Sequence, residues 1–297
     1  MFTGLCAFPL TPMNEDQVDE ASYVHLISRL VKAGVDSIGA LGSTGSYAYL
    51  SRAERARLAQ LAVEHAESTP VMVSIGSLRT KHVLELAEDA QKAGVTAVLL
   101  PPLSYQALNE AEVFDFYKTV TSNLSVPLCV YDNPGTNHFT FSDELHGRIA
   151  HLPNVRSIKI PGVPASLPEA KARVDRLRAL IPAHVSIGVS GDASAATGLN
   201  AGCEAWYSVI GGVFPEISLA ITRAALRGDA EEAEKLSNRL LPLWQIFGRS
   251  GGSLRVVAAA AELLSLVSAP SLPQPLRSVE GQAREELNAL LEALELS

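Results

Sequence analysis

Cysteine is scarce in this chain, basic charge is in deficit, and no long apolar run occurs. Three cysteines (Cys6, Cys129 and Cys203) lie far apart in 297 residues, without a CxxC pair. An odd, scattered set of this kind makes neither a disulfide framework nor a thiolate metal site. Buried free thiols in a reducing cytoplasm are expected instead. Lysine and arginine number 24 against 32 aspartates and glutamates, a formal net charge of −8. That balance argues against nucleic acid or an anionic membrane surface as the main partner. No stretch approaches the ~18 uncharged apolar residues needed to span a bilayer. The opening Met1-Phe2-Thr3-Gly4 also lacks the basic and apolar segments of a secretion signal. The seven histidines show no metal spacing: HExxH, an acidic cluster at strand ends and a glycine-rich dinucleotide turn are all missing. His25, His65 and His82 fall on expected helices, and His138 and His146 flank a loop where His138 could line a site. Neither a metal nor a nicotinamide mechanism is expected.

At 47% hydrophobic residues the chain can bury a large core. Short apolar, β-branched runs alternate with amphipathic stretches, and the runs near 5–9, 37–41, 71–75, 96–100, 127–131, 155–160, 185–189 and 205–210 make eight strands. Helical periodicity fills the gaps, as over Asp19–Ala33, Ser51–Glu67, Thr80–Ala93 and Glu110–Ser122. Ser51 with Glu54 reads as a capping box, and Gly34 and Gly94 read as helix C-caps. Lys-Ala-Gly-Val occurs at 32–35 and again at 92–95, each time leading into a strand. Eight strand-helix units predict an α/β fold, a closed (β/α)8 TIM barrel over residues 1–226. After Leu226 the alternation stops. Helices over Asp229–Phe247, Ser253–Leu266 and Val279–Leu296 predict a C-terminal helical extension over 227–297.

Lys159 stands in Val155-Arg156-Ser157-Ile158-Lys159-Ile160, one ammonium group in an otherwise strand-like apolar run. A desolvated lysine shifts toward its neutral amine, a nucleophile that forms a Schiff base with a ketone. The plain alternative is a strand-end lysine whose head reaches water. A second run, Leu128-Cys129-Val130-Tyr131, tips the balance, because Tyr131 and Lys159 are 28 residues apart, about one strand-helix unit. Adjacent parallel strands then bring a phenol and an amine to the same rim. At the end of the second strand, Gly42-Ser43-Thr44-Gly45-Ser46 offers two hydroxyls beside free amides, suited to a carboxylate. The loops Gly188-Val189-Ser190-Gly191-Asp192 and Val209-Ile210-Gly211-Gly212 sit where such barrels often hold phosphate. Neither contains lysine or arginine, which favours simple turns.

Taken in order, Met1-Phe2-Thr3-Gly4 with Thr11-Pro12-Met13, Gly42-Ser43-Thr44-Gly45 with Leu50-Ser51 and Glu54-Arg55, Tyr131-Asp132-Asn133-Pro134-Gly135, Ile158-Lys159 and Ser190-Gly191-Asp192-Ala193 carry a resemblance over essentially the whole chain. The sequence resembles the dihydrodipicolinate synthase / N-acetylneuraminate lyase family. The resemblance implies a class I, Schiff-base-forming aldolase, lyase or dehydratase. It would act on pyruvate or another 2-keto acid together with an aldehyde, without metal or cofactor, as a homo-oligomer of two or four copies. It implies Lys159 as the imine lysine and Tyr131 as the proton-transferring phenol. Ser43 and Thr44 become the paired hydroxyls that bind the keto-acid carboxylate and relay protons. Tyr207 stands where the family usually has an aliphatic residue lining the pyruvate pocket, so it would narrow that pocket or add a donor.

Departures from the family pattern fall on the side of the second substrate. Where the synthase carries an arginine after the Tyr-x-x-Pro turn, this chain has Gly135-Thr136-Asn137, which makes Thr136 a candidate substrate contact. Ser46 replaces the acid that usually follows the paired hydroxyls, and Ile160-Pro161-Gly162 follows the lysine. The family's Pro-Pro-Tyr-Tyr region reads Pro101-Pro102-Leu103-Ser104-Tyr105, so its second tyrosine corresponds to Tyr105 only if the loop shifts. The expected activity is therefore a pyruvate-type aldolase or lyase that is not a true dihydrodipicolinate synthase. A 2-keto-3-deoxy sugar acid dehydratase using the same imine is the first alternative. A catalytically silent barrel that binds keto acids is the second, and the retained Lys159 and Tyr131 speak against it.

Overall fold

The computed structural model describes residues 2–14 and 17–296. Eight short strands run in parallel: β1 (Gly4–Ala7), β2 (Ser37–Ala40), β3 (Val71–Ser74), β4 (Ala97–Leu100), β5 (Leu128–Tyr131), β6 (Val155–Ile160), β7 (Ser186–Val189) and β8 (Ala205–Ser208). Each pairs with its neighbours in chain order, and β8 returns to β1 to close the barrel. These are the eight expected strands, each end within two residues of its expected position. The helices Glu20–Ala33, Arg52–His65, Thr80–Lys92 and Glu110–Thr121 follow the helical periodicity as well.

Local signals set the helix ends. Ser51 accepts from the Glu54 amide while Glu54 reaches back to the Ser51 amide, a complete capping box. Asn109 and Glu112 form a second box that the sequence reading did not single out. Gly34 ends the first helix in the left-handed region at φ 78°, where a side chain would be strained. One expected helix divides. Residues 229–247 form Ala230–Arg239 and Leu241–Arg249, with the break at Leu240. Pro242 explains it, having no N–H to donate and a ring that clashes with the carbonyl four residues back.

Two apolar layers follow from the alternation of side chains along each strand. One lies inside the barrel and gathers Cys6, Phe8, Met72, Leu99, Cys129, Tyr131 and Tyr207. The other lies between barrel and helices and takes Ile158 and Ile160 from β6. Ser157 and Lys159 are therefore left for the interior. Leu243, Val256, Val257 and Leu287, all beyond Leu226, belong to that same outer layer. The C-terminal helices thus share one core with the barrel.

Large interior rings need space that particular glycines provide. A Cβ on Gly188 would lie 2.2 Å from the Tyr207 ring, and one on Gly39 or Gly42 would lie 2.5 Å from the Phe8 ring. At the opposite end of the barrel, Asp36 accepts from the Leu5 amide at 2.7 Å and pairs with Arg223 through two hydrogen bonds. That carboxylate ties the first strand to the helix Pro215–Leu226 that follows the last.

Candidate active site

Register fixes the first relationship at the site. Tyr131 on β5 pairs directly with Lys159 on β6, and Lys159 with Gly188 on β7. Both side chains leave the C-terminal ends of their strands inward, where barrels of this type place their chemistry. Lys159 is 4% exposed. Its Nζ lies 3.9 Å from the Phe8 ring centroid, 4.4 Å from that of Tyr131 and 5.7 Å from that of Tyr207. Among the described residues no carboxylate comes within ion-pair distance of it. The amine is lodged among aromatic faces, with an open cavity above.

Ser43 and Thr44 arrive from the turn after β2. The Ser43 Oγ lies 3.2 Å from the Tyr131 phenol. The Asn133 Nδ2 donates to the same phenol oxygen at 2.8 Å, so the phenol accepts there and its own proton is free for Ser43. A short helical turn, Pro134–Asn137, places Asn133 and Thr136. Asn137 is fully buried and donates to the Tyr131 carbonyl at 3.1 Å, which locks the turn onto the strand end.

Above Lys159 the rim opens into two lobes. The first, about 550 Å³, is walled by the Ser43–Tyr49 turn, Leu103, Thr136 and residues Gly251–Arg255 from the C-terminal helices. The second, about 700 Å³, runs under the loops after β6 and β7 toward Asn238, Trp244 and Phe247. Tyr131, Asn133, Lys159, Val209 and Ser253 border both.

The structure brings Lys159, Tyr131, Ser43, Thr44 and Thr136 around the first lobe. Two candidates stand elsewhere. The Tyr207 ring borders the second lobe, but its hydroxyl is turned into the barrel, 2.6 Å from Ser157 Oγ and 3.5 Å from Cys129 Sγ. Tyr207 therefore adds bulk beneath the site, and its hydroxyl is engaged in the core. Tyr105 is 88% exposed and borders neither lobe within this chain. The loop turns Leu103 toward the cavity, and the aromatic two residues on consequently faces solvent.

Sequence reasoning missed several wall residues. Tyr47 is buried beside Arg55, whose guanidinium stacks 5.4 Å from its ring and donates to the Ser74 and Gly76 carbonyls. Burial pushes the Tyr47 phenol well above the usual tyrosine range. Asn133 falls within the Tyr131–Gly135 motif, where nothing in the sequence assigns it a contact with the phenol. Arg255 lies almost a hundred residues beyond the lysine, and nothing local in sequence marks it as facing the rim.

The remaining buried ionisable groups hold the frame. Asp192 accepts from Trp206 Nε1, Ser208 Oγ and the Val209 and Ile210 amides, which binds the loop after β7 to the end of β8. Burial pushes the Cys6 thiol up to about 12 and the Cys129 thiol up to about 11, which keeps both from acting as nucleophiles. Beneath the Tyr131 turn, Asp132 Oδ2 faces the fully buried His146 Nε2 at 3.4 Å. Burial raises Asp132 to about 7 and lowers His146 to about 3, so both favour their neutral forms. No helix of the described residues is long and apolar enough to cross a membrane, and none of their His, Cys, Asp or Glu side chains gather as a metal site.

Comparison with known proteins bears on the family and the fold. The model of the dihydrodipicolinate synthetase family matches residues 1–294. A 4-hydroxy-tetrahydrodipicolinate synthase of Hyphomonas neptunium is 31% identical over 252 residues, 82% of each chain. One of Nitrobacter hamburgensis is 28% identical over 280 residues, 92% of this chain and 91% of its own. Among solved structures, dihydrodipicolinate synthase from Agrobacterium tumefaciens superposes with a TM-score of 0.94 at 42% identity, covering 99% of this chain and 98% of that one. The Acinetobacter baumannii synthase complexed with pyruvate shares the fold, with a TM-score of 0.89 at 24% identity and 100% coverage of both chains. The chain belongs to the dihydrodipicolinate synthetase family, and is an enzyme of its class I aldolase and lyase type.

Proposed function

We propose that this member of the family uses Lys159 to form an imine with pyruvate or a related 2-keto acid, and makes or breaks a carbon–carbon bond through the derived enamine. The observation that carries the reading is the lysine amine at the floor of an open cavity, register-paired with Tyr131 and without a carboxylate partner among the described residues. The amine adds to the keto carbon and water leaves, giving a protonated imine that withdraws electrons from the adjacent carbon. Loss of a proton there yields the enamine, which attacks the aldehyde; cleavage runs the same steps backward. Tyr131 moves the protons, with Ser43 as the next hydroxyl in the chain and Asn133 orienting the phenol. Ser43 and Thr44 hold the keto-acid carboxylate.

The second substrate differs from that of the true synthase in this reading. Thr136 borders the first lobe where the synthase carries its arginine, and it offers a neutral hydroxyl. Dehydration of a 2-keto-3-deoxy sugar acid through the same imine is a second reading. It is favoured by the second lobe, where Ser190, Ser194, Asn238 and Trp244 offer hydroxyls, an amide and an indole face to a polyol. Assembly into two or four copies belongs to the proposal too, in keeping with membership of the family. The buried free thiols suit a reducing cytoplasm.

Borohydride trapping with pyruvate tests the core of the reading. One stable adduct is expected on the intact protein, at Lys159 in the peptide map. Lys159→Ala and Lys159→Arg should both abolish it, Arg because its guanidinium stays protonated. An adduct that persists in Lys159→Ala would remove Lys159 from the mechanism.

A further inference from the structure

The first lobe contains a charge that the imine chemistry leaves unused. Among the described residues that line it, Lys159 and Arg255 are the only charged side chains, and no carboxylate joins them. Arg255 belongs to the first turn of the helix Ser253–Leu263, whose start at Gly252 and Ser253 also borders the lobe. One guanidinium nitrogen donates to the Arg277 carbonyl at 2.7 Å, and Arg255 itself is half-buried. That single bond orients the group and leaves most of its five donors available. No ion pair occupies it among the described residues.

The second lobe has the opposite character. Asp192 and Glu234 border it, and Lys159 is its only cation among the described residues. An anionic substrate tail is therefore repelled from the second lobe and attracted into the first. We infer that Arg255 is the anchor for a distal carboxylate, so that the 2-keto acid taken by Lys159 carries a second acidic group at its far end. The inference rests on the imine reading given above. It places the cation on the wall built by the C-terminal helices. A guanidinium fork held there donates two parallel hydrogen bonds to a carboxylate, which a lysine's point charge does not reproduce.

Two five-carbon keto acids of equal length separate this idea from its premise. 2-Oxoglutarate and 2-oxopentanoate both offer a keto group to Lys159, and only the first carries a distal carboxylate. Each is titrated against the intact protein and trapped with borohydride, with pyruvate run in parallel. 2-Oxoglutarate should half-saturate trapping at a ~10- to ~100-fold lower concentration than 2-oxopentanoate, the scale of one charge-assisted pair. Arg255→Ala should erase that ratio, and Arg255→Lys should restore part of it. Equal half-saturation in the wild type, or an unchanged ratio in Arg255→Ala, overturns the anchor. Arg255→Ala weakening both acids alike also overturns it, since that is the signature of a merely structural side chain. Absence of any adduct, pyruvate included, defeats the imine reading instead.

Discussion

The Asn133 side-chain amide donates to the Tyr131 phenol at 2.8 Å, from a turn that begins immediately after the strand carrying that tyrosine. Because an N–H can only donate, the phenol's own proton is directed to Ser43 Oγ, 3.2 Å away. The direction of the proton chain is thus set by a residue that carries no charge.

Tyr131→Phe should keep much of the imine formation and lower turnover by ~10²–10⁴, the range for losing a general acid or base. Asn133→Leu should leave the phenol in place but free to rotate, with a smaller loss confined to kcat. Steady-state kinetics beside borohydride trapping separates the two effects. Turnover of Tyr131→Phe within about threefold of wild type means another group carries the proton.

Thr136→Arg should raise use of aspartate semialdehyde. The substitution restores the cation that the synthase presents after its Tyr-x-x-Pro turn, and a charge-assisted pair with the aldehyde's carboxylate is worth ~10-fold or more. A coupled assay with pyruvate and the semialdehyde reads the change in kcat/KM. Efficient use of the semialdehyde by the wild type, above a panel of neutral and hydroxylated aldehydes, contradicts the proposed departure from the synthase.

Asp132 and His146 should impose opposite pH dependences on stability. Burial holds Asp132 at about 7, so between pH ~4 and ~7 the folded state keeps a proton that the unfolded chain has released. Unfolding there releases a proton, and stability falls as pH rises through that window. Burial holds His146 at about 3, so between pH ~6.5 and ~3 the unfolded chain takes up a proton that the folded state refuses. That contribution is fully present above pH ~6.5 and is lost as pH falls. The two slopes offset each other in the wild type. Melting temperatures between pH 4 and 7 should therefore rise with pH in Asp132→Asn and fall with pH in His146→Phe, which keeps the ring stack on Phe141. Slopes of the same sign in both variants would defeat this account.

Chelators should leave activity unchanged, because the described His, Cys, Asp and Glu side chains form no ligand group. Assay after dialysis against a chelator checks this. Loss that one specific divalent ion restores would turn the mechanism toward a metal-dependent aldolase.

The barrel was legible because its signals are local. Alternating runs, glycine stops and the Ser51 capping box each act within a few residues, and eight repeats of strand and helix leave little choice of topology. Lys159 was legible for a related reason: an ammonium in an apolar β run stands out without any knowledge of the fold. Tyr105 and Tyr207 were not. Which way a loop turns, and whether a hydroxyl finds a partner such as Ser157, depends on contacts between segments far apart in the chain. Arg255 was hidden most deeply. Its helix looks ordinary in sequence, and only the return of the C-terminal segment over the rim gives it a place there.

Gly188 and Tyr207 have a history written into their contact. With 2.2 Å between a Cβ at 188 and the ring, residue 188 cannot drift alone: the glycine must stay while the tyrosine stays. A lineage leaving this arrangement has to shrink residue 207 first, passing through a form with an internal void, before anything larger is admitted at 188. A lineage arriving at it must take the steps in reverse, emptying 188 before the ring can enter. The order of mutations in this part of the barrel is therefore constrained, and sequences that carry tyrosine at the second position should carry glycine at the first.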